Sequence, residues 1–180
     1  MTALAAPHDL LPPSVALTRG FVLPDAPTAL PVRAASGGEP RQGFRVGTLN
    51  LMIRYELGSE LAEVPALHRM PNAPAWFLGM TNLHGALLPV FDLAAWVGLE
   101  RSRGARPMLL VLAHGADAAG VLIDGLPERL RIAPDQWLAD PVAPAALDGC
   151  IAAACLLGER AWLDLDSTAL LARLEQTLSA

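Results

Sequence analysis

The residues that could carry out chemistry are few and far apart. Asp164 and Asp166 are separated by one residue, a spacing that allows acid–base work, but a strand end leading into a helix cap explains them better. Four histidines are scattered along the chain, at His8, His68, His84 and His114. None of them has a Cys or Asp at metal-ligand spacing. No nucleophile elbow, phosphate-binding Gly-rich loop with Lys, or His-Glu-x-x-His motif occurs, so we expect no catalytic residue, no metal and no cofactor.

The two cysteines, Cys150 and Cys155, lie five residues apart in a segment that has the pattern of a strand. At about 3.3 Å per residue their Cα atoms would be roughly 16 Å apart, with the side chains on opposite faces. A disulfide needs Cα atoms about 4.4–6.8 Å apart. We therefore expect two buried, unbridged thiols, which is typical of a cytoplasmic protein.

Composition excludes several classes of partner. The formal charge is −5, every one of the 13 basic residues is Arg, and no basic cluster is long enough for a nucleic-acid surface. No apolar run reaches the roughly 18–20 residues that span a bilayer, and the N-terminus lacks the pattern of a secretory signal. We expect a cytoplasmic protein that binds no nucleic acid and does not insert into a membrane.

Local signals predict a mainly β protein. Strand-length segments flank the turn pairs Gly47-Thr48, His84-Gly85 and Gly158-Glu159, which predicts hairpins. Asp92 is a predicted N-cap for a helix over Leu93–Val97, and Asp166 or Ser167 caps a helix over Thr168–Leu178.

The domain organisation follows from a change of pattern near residue 43. Residues 1–42, with seven prolines, predict an irregular N-terminal arm. Residues 43–175 predict a β-rich domain in which both halves end as hairpin, Asp-Leu and helix. This repeated order of elements favours two related subdomains that swap over near residues 100–150. The alternative is a chance similarity between two hairpins.

A mixed apolar and polar stretch is the best candidate for a functional surface. Leu61, Val64, Leu83 and Leu87 stand beside the polar residues Glu63, Asn82 and His84. Each of the apolar side chains could equally be core. A buried unpaired carboxylate is costly, so Glu63 is the hardest of these residues to assign to a core.

The stretch 76–93, with Gly79, Asn82-Leu83-His84-Gly85, Pro89 and Asp92-Leu93, resembles the signature of the CheW family. Further similarity lies at Leu61–Val64, at Gly120–Leu126 and at 149–171, and the likeness covers roughly residues 43–175. The opening 43–47, the long N-terminal arm and the Trp162-Leu163 ending look most like the PilI subgroup of type IV pilus chemosensory systems. The matching structural positions are Gly79, Pro89, Asp92, Gly120, Asp124 and Gly149.

The resemblance implies two five-stranded Src-homology-like β-barrels with short helices and a C-terminal helix. It also implies binding to the regulatory domain of a CheA-type histidine kinase and to the cytoplasmic tip of a methyl-accepting chemoreceptor. The implied partner-binding residues are Leu61, Glu63, Val64, Asn82, Leu83, His84 and Gly85. The family pairs Glu63 with an Arg at the position of His84, so we expect these two side chains to face each other across neighbouring strands.

The resulting hypothesis is a non-catalytic adaptor in chemotaxis or twitching-motility signalling. One alternative is a small β-barrel enzyme or ligand-binding protein. Another is a competitor that uncouples the kinase from the receptor.

Overall fold

A computed structural model of the chain describes Val15 and residues 38–54, 60–139 and 141–179. The chain divides into two units, Met1–Ser36 and Gly37–Ala180, and every element below belongs to the second. Most of the expected N-terminal arm therefore lies outside the described residues. Its last residues differ from the expectation, because the first strand already begins at Glu39 and pairs on both sides.

The described residues form a mainly β structure. The strands are β1 (Glu39–Val46), β2 (Leu49–Arg54), β3 (Glu60–Glu63), β4 (Phe77–Leu83), β5 (Ala86–Phe91), β6 (Pro107–Leu112), β7 (Ala119–Asp124), β8 (Glu128–Ile132), β9 (Trp137–Leu138), β10 (Ile151–Leu157) and β11 (Arg160–Leu165). The α-helices are α1 (Leu93–Val97) and α2 (Ser167–Leu178), and short 3₁₀ turns cover Gly115–Asp117, Pro134–Gln136 and Ala145–Leu147. Within the described residues, neither α-helix is long and apolar enough to cross a bilayer.

The strands form two sheets. Sheet A has the order β8-β1-β2-β11-β10-β9, and sheet B has the order β3-β6-β7-β5-β4. Neighbours are antiparallel except at β2–β11 and β5–β7, which are parallel. The expected mainly β fold with two small subdomains is confirmed, and sheet A has one strand more than the expected five because the two-residue β9 joins its edge.

The two subdomains are nested along the chain, so the expected sequential halves are wrong. The chain leaves sheet A after Arg54, builds all of sheet B, and returns to sheet A at Glu128. The physical reason is the parallel contact of β2 with β11, which places the β1–β2 hairpin beside the β10–β11 hairpin. A single hairpin is only marginally stable, so β1 and β2 depend on these distant strands.

Three apolar clusters hold the sheets together. The core of sheet A contains Met52, Leu130, Ile132, Cys155 and Trp162. The core of sheet B contains Leu88, Val90, Leu109, Val111, Ala118 and Leu122. A larger inter-sheet core joins both sheets to α1 and α2, with Phe44, Leu51, Phe91, Leu110, Val121, Leu163 and Leu170 among its members. Strand β6 contributes to two of these cores, because alternate side chains along a strand point to opposite faces of the sheet and both faces of β6 are covered.

The expected turns and caps are confirmed. The Asp92 side chain accepts a hydrogen bond from the Ala95 amide at the start of α1, and Gly98 ends that helix with φ 78°. Asp166 caps α2 through the amides of Thr168 and Ala169. All three predicted hairpin turns connect antiparallel strands.

Close approach explains two of the glycines singled out by the sequence pattern. Gly79 has φ +121°, and an added Cβ would clash with the backbone carbonyl of His68. A Cβ on Gly120 would stand 2.6 Å from Leu109 Cδ1, in the core of sheet B. Gly149 adopts φ +74° just before β10, and Pro89 lies in β5 opposite Met80.

Candidate functional site

The residues expected to bind partners lie on or beside the two edge strands of sheet B. Strand β3 is the last strand of this sheet and hydrogen-bonds to β6, whereas the β4–β5 hairpin forms the other end of the strand order. The His84 side chain in the β4–β5 turn nevertheless contacts Glu60 on β3, so the two ends of the sheet meet. We call the two exposed ion pairs that flank β3, Glu60–His84 and Glu63–Arg106, the paired-charge surface.

Glu63 pairs with Arg106, and the expected pairing with His84 is wrong. Arg106 Nη2 donates to Glu63 Oε1 at 2.6 Å, and both side chains are 76% exposed. The cause is strand pairing: Glu63 stands opposite Met108 of β6, so Arg106 is its diagonal cross-strand neighbour. The sequence motifs gave no sign of the β3–β6 pairing, and Arg106 was therefore missed.

His84 pairs with Glu60 instead. The distance from His84 Nε2 to Glu60 Oε1 is 2.7 Å, with both side chains at least half exposed. His84 and Gly85 both have positive φ, at 50° and 87°, as a two-residue type I′ turn requires. The Asn82 side chain accepts a hydrogen bond from the Gly85 amide and stabilises this turn.

The apolar residues of the expected surface are only partly available to a partner. Leu61 packs against the inter-sheet core, and Val64 and Leu83 pack against the core of sheet B, each remaining half-buried. Leu87, by contrast, is 66% exposed. A cavity of about 380 Å³ opens beside them, with Glu60, His84 and His114 among its lining residues. The surface thus combines exposed charge pairs with half-buried apolar side chains that also pack against the cores.

A second polar cluster joins the two sheets. Asp124, at the end of β7, accepts hydrogen bonds from the Gly47 amide at 2.7 Å and from the Ser102 amide at 3.2 Å. Arg101 bridges Asp124 and Asp92, donating to each at 2.9 Å. We call this cluster the inter-sheet clamp, because Gly47 lies in the β1–β2 turn of sheet A and Asp124 belongs to sheet B. Sequence reasoning found both aspartates but missed Arg101.

A buried ion pair lies within sheet A. Arg41 Nη2 donates to Asp164 Oδ2 at 3.0 Å, and both side chains are less than a tenth exposed. The guanidinium also stands 5.4 Å from the centre of the Trp137 ring. Burial opposes the charge, but hydrogen bonds and attraction from Asp164 and Glu39 outweigh it and raise the pKa of Arg41. Asp164 therefore stabilises the fold, and Asp166 caps a helix.

Both cysteines are buried and unbridged, as expected. Burial raises the pKa of the Cys150 and Cys155 thiols, which disfavours the reactive thiolate at neutral pH. Among the residues that the structure describes, no group of three or more His, Cys, Asp or Glu side chains could hold a metal ion. The chemistry that the paired-charge surface offers is recognition of charged and apolar groups on another molecule.

Comparison with known proteins gives consistent matches. The model of the family described as "CheW-like domain" matches residues 42–175. The "Chemotaxis protein CheW" of Rhizobium meliloti is 30% identical over 98 residues, which cover 54% of this chain and 63% of that protein. The "Protein FrzA" of Myxococcus xanthus is 35% identical over 116 residues, covering 64% of this chain and 69% of that protein.

A solved structure shares the fold. The scaffolding protein TtCheW from Thermoanaerobacter tengcongensis superposes with a TM-score of 0.63 over 74% of this chain and 87% of that chain. Because the two sequences are only 15% identical, this similarity concerns the fold alone. The chain spans less than two thirds of the length of the first curated relatives that it matches, at 63% and 58%.

Proposed function

The chain belongs to the CheW-like domain family, and on that premise we propose that it is a non-catalytic adaptor in chemotaxis-type signalling. In this proposal it links the cytoplasmic tip of a methyl-accepting chemoreceptor to the regulatory domain of a CheA-type histidine kinase. The proposed partner-binding residues are Leu61, Glu63, Val64, Asn82, Leu83, His84 and Gly85. We also propose that the protein acts in the cytoplasm.

The observation that carries the proposal is the paired-charge surface. Glu63 and Arg106 are both 76% exposed yet held 2.6 Å apart, and Glu63 lies on the edge strand β3. Exposed ion pairs contribute little to folding, whereas charges around an apolar patch select partners and speed association. This arrangement supports a surface that is covered by another protein.

The nested architecture supports the role of an adaptor. Sheets A and B share the inter-sheet core and the inter-sheet clamp, so a partner on one sheet is held in a fixed relation to a partner on the other. Each contact need only be moderate in affinity, because simultaneous binding in an array raises the effective concentration of every partner.

The pathway is proposed on the similarities of sequence. Two relatives with different names, a chemotaxis protein CheW and the protein FrzA, match this chain at 30% and 35% identity. Membership in the PilI subgroup, and with it a role in twitching motility, rests on the opening 43–47 and the Trp162-Leu163 ending. It stays a prediction.

Reconstitution tests the function. The full chain is added to a CheA-type kinase and receptor tips, and both co-sedimentation and kinase phosphorylation are measured. We expect the chain to enter the assembly and to raise receptor-coupled kinase activity. A fall in that activity with rising chain concentration would instead identify a competitor. Absence from the assembly, together with substrate turnover or a tightly bound small molecule, would favour the enzyme or ligand-binding alternative.

A further inference from the structure

Strands β3 and β4 are the two ends of the strand order in sheet B, and separate contacts connect them. His68, which follows β3, exchanges backbone hydrogen bonds of 2.8 and 2.9 Å with Met80 of β4. At the β4–β5 turn, His84 Nε2 lies 2.7 Å from Glu60 Oε1. We propose that the Glu60–His84 pair is a pH-sensitive latch, which holds the turn against β3 when the His84 imidazole is charged and releases the turn when it is neutral.

The latch acts on a turn with an uncommon backbone conformation. His84 has φ 50°, in the left-handed region that residues other than glycine rarely adopt. The hydrogen bond from the Gly85 amide to the Asn82 side chain stabilises the turn locally. The imidazole contact with Glu60 adds a link from the turn to β3, beside the cavity of about 380 Å³ that both side chains line.

The proton on the imidazole decides how strong this link is. An ionised carboxylate only accepts hydrogen bonds, so His84 Nε2 has to carry a proton for the contact to form. When the second ring nitrogen is also protonated, the hydrogen bond joins two opposite charges. Histidine is the residue type whose charge changes between about pH 5 and 8. The latch is therefore strongest at low pH, and its contribution is lost as the pH rises and the imidazole loses its charge.

The other titratable and charged groups around the latch provide the controls. His114, in the connection from β6 to β7, lines the same cavity, and His68 bonds to β4 through its backbone. Both are exposed histidines that titrate in the same pH range. The Glu63–Arg106 pair does not share the face of the latch, because Glu63 lies an odd number of residues from Glu60 along β3 and side chains alternate between faces.

The latch regulates the shape of the proposed partner surface. The residues 82–85, which the proposed function assigns to partner binding, lie in or beside the turn that the latch holds. Its effect on partner binding rests on that proposed function, but the latch itself does not. An experiment on the chain alone therefore distinguishes failure of the latch from failure of the adaptor function.

The test measures amide hydrogen exchange of the full chain at about pH 6 and about pH 8, with protection factors corrected for the intrinsic pH dependence of exchange. We expect the protection of the β3 amides and of the Gly85 amide to fall about two- to fivefold from the lower to the higher pH. The factor is small because the His84 and Glu60 side chains are 75% and 50% exposed, so water screens the pair. The amides of β7, in the middle of sheet B, should show no such fall.

Variants assign the pH dependence to the pair. Glu60→Gln removes the charge that attracts the imidazolium, so protection should be at the lower level at both pH values. His84→Arg carries a charge that does not titrate, so protection should stay at the higher level at both. His114→Gln and His68→Gln should keep the wild-type fall.

Wild-type protection of β3 and Gly85 that does not change between the two pH values would overturn the proposal. So would a fall that persists in Glu60→Gln, or one that disappears in His114→Gln or His68→Gln. Thermal unfolding shows whether each variant is folded. If Glu60→Gln is not, His84→Arg decides, because a fall that persists in this variant would overturn the latch as well.

Discussion

The two sheets each contain an ion pair, but the pairs differ in environment. Arg41 of β1 pairs with Asp164 of β11 across the intervening β2, whereas Glu63 of β3 pairs with Arg106, just before the neighbouring β6. Arg41 and Asp164 in sheet A are less than a tenth exposed, whereas Glu63 and Arg106 in sheet B are 76% exposed. Water and salt screen the second pair and hardly reach the first. The comparison separates charges that stabilise the fold from charges that are available to a partner.

The buried pair is tied to its surroundings by several contacts. Asp164 accepts from both Nε and Nη2 of Arg41, and the guanidinium packs near Trp137 against the core of sheet A. The described residues contain no buried side-chain nitrogen or oxygen without a hydrogen-bond partner. Removing Asp164 from this network should therefore leave a buried charge that only the exposed Glu39 carboxylate partly compensates.

The largest effect is expected for Asp164→Ala. The substitution removes the buried partner of Arg41 and leaves only the exposed Glu39 carboxylate as its ionic partner. Loss of one partner of a buried ion pair typically costs about 3–5 kcal/mol of unfolding free energy, and we expect the lower part of that range. Denaturant unfolding of the full chain measures this cost. A loss below about 1 kcal/mol, the size expected for an exposed pair, would break the comparison.

A double variant sharpens the same test. Arg41→Met combined with Asp164→Leu replaces both charges by apolar side chains, and such replacements are often neutral or stabilising. We expect the double variant to recover most of the stability that Asp164→Ala loses. If the double variant is as unstable as the single one, packing rather than charge is the cause.

The inter-sheet clamp should give an intermediate effect. Asp124→Ala leaves the amides of Gly47 and Ser102 and the Nη1 group of Arg101 without their acceptor, although Arg101 keeps its bonds to Asp92. Each polar group left unsatisfied costs about 1–3 kcal/mol, less where water can reach it, so we expect a total loss of about 2–3 kcal/mol. Calorimetric unfolding measures it, and Asp117→Ala, on an exposed turn, is the control.

The buried thiols add a pH-dependent effect. Burial raises the pKa of Cys150 and Cys155, so above the unfolded-state thiol pKa of about 8.5 the unfolded chain binds fewer protons than the folded one. Stability should be unaffected below that pH and fall above it, by up to about 1.4 kcal/mol per pH unit for each thiol. The sequence has no Lys to titrate in the same range. Unfolding followed from about pH 7 to pH 10 tests this, and a Cys150→Ala/Cys155→Ala variant should show a flatter slope.

The smallest effect on stability is expected for the exposed pair. Glu63→Gln and Arg106→Gln should each change the unfolding free energy by less than about 1 kcal/mol, because exposed ion pairs are screened and mobile. The same unfolding assay used for Asp164→Ala gives the comparison directly. A cost of several kcal/mol would mean that the pair holds β3 onto β6 and is structural.

Local features of the fold could be predicted, and distant ones could not. The His84-Gly85 turn and the Asp92 cap depend on residues within a few positions, so their signals are visible in the sequence. The insertion of sheet B between β2 and β8 depends on the parallel contact of β2 with β11, more than a hundred residues away. No local pattern encodes such a contact.

The same limit applies to the functional surface. Its position on the β4–β5 hairpin follows from a specific motif, but its charge pairing depends on which strand lies beside β3. Glu63 meets Arg106 because β3 pairs with β6, and His84 is left to pair with Glu60. The sequence motifs included Glu63 and His84 but gave no signal for their partners, Arg106 and Glu60.

The most direct test of the adaptor function is Glu63→Arg, assayed in parallel for unfolding and for co-sedimentation with kinase and receptor tips. The substitution places two like charges side by side on the proposed contact surface while leaving every core residue unchanged. We expect an unfolding free energy within about 1 kcal/mol of the wild type and a clear loss of the chain from the assembly. A folded variant that co-sediments as well as the wild type would contradict the account.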